Sequence, residues 1–113
     1  MPTEHQETNL LEMLVQAAME LEAETLLLFP GREPAVRLAD RRLKAVPGFE
    51  KLHFRHTEQI VNSAISPEDE RTLDSGGDME AVVALKDGRR IDATIFYGGG
   101  SHHLVLFLKG KPA

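Results

Sequence analysis

Two short runs of apolar residues constrain the fold of this chain more than any other feature. The first is LLLF at 26–29, and the second covers the five successive positions from Leu104 to Leu108. Neither run has the spacing of a helix face or the alternation of a strand with one solvated side, so each predicts a strand buried on both faces. We therefore expect the two runs to form the centre of one sheet.

Turn signals after the first run predict an edge hairpin. Pro30-Gly31 ends the run, and residues 35–44, AVRLADRRLK, then alternate loosely between apolar and polar. Ala39-Asp40 is placed to split this segment into two short edge strands, and Pro47-Gly48 closes it off. Short polar or glycine-containing breaks between alternating segments are typical of hairpin turns.

The C-terminal third predicts a three-strand meander. MEAVVALK at 79–86 and RRIDATIFY at 89–97 alternate on either side of Asp87-Gly88, a pair that predicts a two-residue type I′ turn. GGGS at 98–101 predicts the next turn, before the final strand HHLVLFLK at 102–109. Alternation places two sets of side chains on common faces: Met79, Ala81, Val83 and Leu85, and Ile91, Ala93, Ile95 and Tyr97.

Three helices are expected, one before the first strand and two between the edge hairpin and the meander. Residues 9–22 have an amphipathic pattern, and Asn9 with Glu12 has capping-box spacing. Residues 55–65 predict a second helix, and Ser66-Pro67 has the signature of the start of a third. The predicted inward positions are Leu10, Leu11, Met13, Leu14, Ala17, Ala18 and Leu21 on the first helix, and Ile60, Val61, Ala64 and Ile65 on the second.

These elements predict an α+β fold with a five-stranded antiparallel sheet. With the 35–44 hairpin on one flank and the meander on the other, the strand order is 2-1-5-4-3, which is the order of PAS-like domains. The helices are expected to cover one face of this sheet. We expect a single domain over 1–113, with loose ends at 1–7 and 110–113.

Composition excludes several classes of function. The chain has 113 residues, no cysteine and a net charge of -5, which rules out disulfides and thiolate metal sites and argues against general nucleic-acid binding. The N-terminus lacks the pattern of a signal peptide, and no apolar run has membrane-spanning length. The cytoplasm is the expected compartment.

No constellation of residues indicates catalysis or a metal site. His53 and His56 have H-x-x-H spacing without an evident third ligand, and His102 and His103 are expected on opposite faces of a strand. The glycines at 98–100 join two strands and do not open a helix, so they lack the dipole of a phosphate loop. None of the serines at 63, 66, 75 and 101 has a neighbouring base. We expect no enzyme activity and no cofactor.

Two features are candidates for a docking surface. Arg37, Arg41, Arg42 and Lys44 form a basic cluster on the edge hairpin, either to steer an acidic partner or only to block sheet-to-sheet aggregation. Helices on one sheet face would leave the other face apolar, so we expect a homodimer or a protein partner there. The residues assigned to that face are Val82, Ala84, Phe96, Leu104, Leu106 and Leu108, opposite Val83, Ile95 and either Val105 or Phe107.

The sequence of residues 10–109 resembles the N-terminal PAS-like domain of the type IV pilus retraction ATPase and, more distantly, that of secretion ATPases of the same superfamily. The resemblance lies in AETLLLFPGREPAVRLADRRL, HTEQIVNSAISPEDERTL and RRIDATIFYGGGSHHLVLFL. Pro34, Arg37 and Arg90 keep residues of the family pattern. Thr25, Leu27, Ala39, Asp40 and Asp92 depart from it.

The resemblance implies a role without chemistry of its own. In that family the nucleotide is bound and hydrolysed by a separate RecA-like domain, and this chain holds no G-x-x-x-x-G-K-[ST] motif to cradle phosphates. The expected function is therefore a non-catalytic, regulatory interaction module in bacterial pilus or secretion motors, with Arg37, Arg41, Arg42, Lys44 and Arg90 as docking residues. The alternative is a small-molecule-sensing PAS-like domain, with a cavity lined by Leu14, Leu27 and Phe107.

Overall fold

A computed structural model of the chain describes residues 3–64, 78–85, 88–98 and 100–110. It contains two helices, α1 (Thr3–Glu20) and α2 (Phe54–Ala64), and six strands. The strands are β1 (Thr25–Leu28), β2 (Ala35–Arg37), β3 (Leu43–Ala45), β4 (Asp78–Ala84), β5 (Arg90–Gly98) and β6 (Ser101–Phe107). The predicted third helix, which would begin at Ser66, lies outside the described residues.

All six strands join one antiparallel sheet in the order β3-β2-β1-β6-β5-β4. The α+β class and the central position of the two apolar runs are confirmed. The predicted five strands and the order 2-1-5-4-3 are wrong. The edge hairpin supplies two separately paired strands, because the short turn after Leu38 lets β3 fold back along β2.

Helix α1 starts earlier and ends sooner than its sequence pattern predicts. Asn9 lies inside the helix, so it is not the N-cap. The helix ends in a Schellman motif, in which Ala23 N–H donates to Ala18 C=O at 3.1 Å and Glu22 N–H to Met19 C=O at 2.9 Å. Glu22 occupies the left-handed position of this motif, with φ of 58°, where glycine is the usual residue.

One apolar core lies between the helices and the sheet. Leu14, Val15 and Ala18 of α1 and Val61 of α2 are fully buried there. Met13, predicted inward, is 56% exposed, because the buried stripe passes through Val15 on the other side of the helix. The sheet contributes alternate residues of its strands: Leu26, Leu28, Val36, Ala81, Val83, Ile91, Ala93, Ile95, Leu104 and Leu106.

The β4–β5 hairpin forms as predicted but with a longer turn. Leu85 N–H donates to Arg89 C=O at 2.8 Å, and Gly88 N–H donates to Leu85 C=O at 3.1 Å. Leu85 therefore pairs with Arg89, which leaves three loop residues where a type I′ turn has two. Gly88 has φ of 94°, the left-handed conformation that closes a three-residue hairpin loop.

The His53–His56 pair, expected to be surface histidines, caps the start of α2. Arg55 N–H donates to His53 Nδ1 at 3.1 Å, and His53 N–H donates to His56 Nδ1 at 3.1 Å. This reciprocal pattern is that of a capping box, with imidazole nitrogens in place of the usual hydroxyl and carboxylate oxygens. Both rings therefore serve the helix end as acceptors.

Candidate functional site

The candidate site is the sheet face on which neither described helix packs, named here the open face. In the strands, the residues that alternate with the core positions point to this face. On this face Leu27 is 9% exposed, Val105 and Phe107 are half-buried, and Val82 is 43% exposed. The open face therefore has an apolar centre that extends to an exposed valine on edge strand β4.

Three of the six residues assigned to the interface face, Val82, Ala84 and Phe96, lie on the open face. The other three do not, and Leu108 packs against the core. Val82 and Phe96 are paired with Asp92 and His103 respectively. Leu104 and Leu106 are completely buried in the core, opposite Ile95 and Ala93. Their predicted location is wrong, because the β6 register directs them toward the helices and turns Val105 and Phe107 to the open face.

An aromatic cluster that sequence reasoning missed lies at one end of the open face. The His103 ring stacks on the Phe96 ring, with centroids 4.9 Å apart and planes 9° apart. Phe29, just beyond the end of β1, contacts both rings at centroid distances of 5.8 Å and 5.5 Å. Phe29 meets the two stacked rings at interplanar angles of 67° and 60°, so the three half-buried rings form one packed cluster at this end of the face.

The structure separates the predicted basic cluster into three places. Arg37 lies on the open face, because it pairs with Thr25. Lys44 pairs with the fully buried Val36 and so lies on the side of the helices. Arg41 and Arg42 lie in the β2–β3 turn. Arg90 lies on the open face of β5, opposite Ala84.

Arg42 is engaged within its own turn. Its side chain pairs with the Asp40 carboxylate at 2.5 Å, and its backbone N–H donates to the same carboxylate at 3.1 Å. The backbone hydrogen bond from Arg42, followed by the side-chain one, holds the pKa of Asp40 below its ordinary value. The carboxylate thus remains charged and offsets the Arg42 cation, which weakens Arg42 as a docking residue.

Arg41 is held in a conformation that favours glycine, with φ of 70°. The turn resembles the β4–β5 turn: Leu38 N–H donates to Arg42 C=O at 2.9 Å and Arg41 N–H donates to Leu38 C=O at 2.8 Å. Three residues, 39–41, form the loop, one more than a tight turn at Ala39-Asp40 would need. Arg41 thus occupies the position that Gly88 takes in the other hairpin.

Replacing Arg41 by glycine is expected to raise the free energy of unfolding by about 0.5–1 kcal/mol, because glycine adopts the left-handed conformation without the strain of a Cβ. Urea denaturation followed by circular dichroism measures this change. The Arg41→Ala variant, which removes the cation and keeps the Cβ, is the control and should show no gain. A lower free energy of unfolding for Arg41→Gly would contradict the inference that the left-handed conformation of Arg41 is strained.

His102 forms a long-range polar contact between helix α2 and the sheet that sequence reasoning did not anticipate. Its backbone N–H donates to Glu58 Oε2 at 3.1 Å, and its ring Nδ1 contacts the same oxygen. The residue is 4% exposed, its ring packs edge-on against Tyr97, and its Nε2 has no hydrogen-bond partner among the described residues. His103 points to the open face, so the two histidines lie on opposite faces, as predicted, and share no site.

The cavity proposed for a small ligand is not assembled. Leu14 is buried in the core, whereas Leu27 and Phe107 lie on the open face, so the sheet itself separates them. A surface groove of about 570 Å³ runs along the outer side of α1 and is lined by Met13, Ala17, Phe49 and charged neighbours. It lies on the surface and does not enter the space between the helices and the sheet.

Two further observations limit the chemistry of the described residues. Among them, no three histidine, aspartate or glutamate side chains converge to hold a metal ion. No helix in the same ranges is both long enough and apolar enough to cross a membrane.

Comparison with known proteins gives structural neighbours only. No family model matches the chain, and no curated protein matches it. The pilus retraction motor PilT, solved with bound ADP, is 25% identical over 88% of this chain, with a TM-score of 0.72. The ATPase DotB of Legionella pneumophila is 19% identical over 87% of the chain, with a TM-score of 0.66, and supports the fold alone.

The match involves only a part of each neighbour. This chain spans 28% of the length of the PilT chain and 28% of the DotB chain. The match agrees with the resemblance carried by the sequence motifs. The chain therefore resembles the N-terminal domain of pilus and secretion ATPases.

Proposed function

We propose that this chain is a non-catalytic interaction module that regulates or helps assemble a pilus or secretion motor through its open face. The observation that carries the proposal is the apolar centre of that face, formed by Leu27, Val105 and Phe107, beside the exposed cation of Arg37. An apolar surface with charged residues around it is the usual composition of a protein-protein interface. The resemblance to motor N-terminal domains supplies the setting.

The geometry of the polar groups supports a module without catalytic activity. Ser101 and His102 are neighbours on β6 and point to opposite faces, so the histidine cannot activate this serine. The hydroxyl of Thr57, also buried, donates to the Phe54 carbonyl at 2.9 Å. Glu58 and His102 contact each other, and His102 Nε2 has no hydrogen-bond partner among the described residues, so the Tyr97 hydroxyl is not bonded to it. The described residues thus lack the nucleophile-base pair of covalent catalysis.

The proposal also includes a PAS-like arrangement and a bacterial, cytoplasmic setting. Support for the first is that both described helices pack on the same side of an antiparallel sheet. Support for the second is that one neighbour is an ATPase of Legionella pneumophila and the other a pilus retraction motor. We do not favour ligand sensing, because the space between the helices and the sheet is filled by core side chains such as Leu14 and Leu106.

Binding to the purified retraction motor PilT, measured by isothermal titration calorimetry, tests the proposed function. We expect saturable binding by the wild-type chain. Arg37→Glu, on the open face, should weaken binding about tenfold or more, because it places a like charge against an acidic partner surface. Lys44→Glu, on the same hairpin and the opposite side of the sheet, is the matched control and should change binding less than about twofold.

Two results would contradict the proposed function. One is equal weakening by Arg37→Glu and Lys44→Glu, which would remove the open face from the interaction. The other is the absence of binding to the motor together with measurable nucleotide hydrolysis by the isolated chain.

A further inference from the structure

We infer that the open face pairs with the same face of a second copy of this chain, related by a twofold axis parallel to the strands. This inference rests on the proposed role of the open face in docking and names the partner that its chemistry fits. The basis is a row of directly opposed residues that crosses the whole sheet. The strand register gives this row without ambiguity.

The row contains one residue from each strand. Its order from β3 to β4 is Leu43, Arg37, Thr25, Phe107, Asp92 and Val82. Directly opposed residues of antiparallel strands lie on the same face of the sheet, so all six point to the open face. The row thus has an apolar residue at each end and a cation and an anion at equal distances from the centre.

A twofold rotation superposes the row on itself in reverse. The axis lies between β1 and β6, parallel to them, and the two sheets face each other. Arg37 then meets Asp92 of the second copy, and Asp92 meets its Arg37. At the ends, Leu43 meets the other Val82. An isologous interface requires this kind of self-complementarity, in which a contact between two positions occurs twice.

The two apolar residues at the ends of the row are the most exposed to solvent among its apolar members, so they would gain most from burial in an interface. Leu43 is 62% exposed and Val82 is 43% exposed, and both lie on edge strands. Arg37 and Asp92 are also exposed, and neither forms an ion pair with another described residue of its own chain. Face-to-face pairing would bury both apolar ends and supply each charge with an opposite one.

The next row fits the same axis. It runs through Ala35, Leu27, Val105 and Thr94, so Leu27 meets Val105 of the second copy at the centre. The two sheets then form a sandwich about 10 Å thick, a standard mode of sheet packing. The second row therefore places two apolar side chains at the middle of the interface, and the first row places Phe107 against Thr25 of the second copy.

The size of the face sets the strength of the pair. Six strands spaced by about 4.8 Å span about 24 Å, and an average strand length of about five residues adds about 17 Å. The area of about 400–600 Å² per copy lies at the lower limit for a specific interface. We therefore expect a reversible dimer that dissociates on dilution.

Sedimentation equilibrium from about 10 µM to 1 mM protein tests the inference, a range that brackets a weak dissociation constant. The wild-type mass should rise from 12.5 kDa toward twice that value with concentration. Arg37→Glu and Asp92→Arg should each remain monomeric, because each creates two like-charge contacts. Lys44→Glu, on the other side of the sheet, should dimerise like the wild type. Circular dichroism verifies that all variants are folded.

Mixing the two monomeric variants gives the sharpest outcome. Arg37→Glu and Asp92→Arg at equal concentrations should form a heterodimer, because both cross-contacts then join opposite charges. A wild-type chain that stays monomeric at 1 mM, single variants that dimerise, or a mixture that stays monomeric would each overturn the inference.

The dimer and the proposed function can fail separately. A monomeric chain that binds the motor through Arg37 would overturn the dimer and leave the proposed function standing. A chain that dimerises as expected, with the expected effects of the variants, but has no affinity for the motor would support the dimer and contradict the proposed function.

Discussion

Replacing Leu104 by alanine is expected to lower the free energy of unfolding by about 2–5 kcal/mol, the range measured for buried leucines that leave a cavity. Leu104 is completely buried, opposite Leu28 on β1 and Ile95 on β5. It lies at the centre of the sheet beneath α2, so its neighbours have little room to collapse into the space. Urea denaturation monitored by circular dichroism measures the change.

Val82→Ala provides the matched comparison. Val82 lies on the open face of edge strand β4, and its change should cost less than about 1 kcal/mol, since only strand propensity and partial burial are lost. The pair of variants separates the two faces of the sheet, because sequence alone grouped Val82 with Leu104. Similar losses for both would contradict the face assignment.

Replacing Glu58 by alanine is expected to cost about 1–3 kcal/mol, because a single carboxylate satisfies two groups of His102. Removal of Glu58 leaves the His102 backbone N–H and ring Nδ1 without an acceptor. His102 lies two residues beyond the last pair between β1 and β6, so no β1 residue pairs with it there.

Two variants and a second measurement isolate this effect. Glu58→Gln keeps one acceptor oxygen and should lose less stability than Glu58→Ala. Arg55→Ala, on the same helix and exposed, reports the effect of a surface alanine alone, within about 0.5 kcal/mol. The His102 amide should exchange its hydrogen faster in Glu58→Ala only. Unchanged exchange there would contradict the role of Glu58.

The two apolar runs show what the sequence could and could not specify. The run at 104–108 predicted a central strand, and the structure confirms it, but the run cannot indicate which residues face the helices, because every position is apolar. Burial in β6 does alternate, with Leu104 and Leu106 fully buried and Val105 and Phe107 half-buried. This alternation follows from the pairing with β1, which is a long-range contact.

The turns and the polar contacts also depend on strand pairing and long-range contacts that local patterns do not specify. Asp87-Gly88 predicted a hairpin correctly, but the glycine closes a three-residue loop, and loop length depends on how the flanking strands pair. The open-face row was not predictable from local patterns, because Arg37 and Asp92 fall into one row only through the register of three strand pairs. Likewise, nothing near His102 in the sequence indicates Glu58 as its partner.

The short edge strand β3 limits how large any assembly of this chain can grow. It has three residues, all exposed, and Lys44 at its middle places a charge beside the unpaired backbone edge. At the other edge of the sheet, strand β4 begins with the charged residue Asp78. Charged and very short edges disfavour strand addition, which is the route to fibres. Association through the open face would consume that face completely, so assembly would stop at a closed pair.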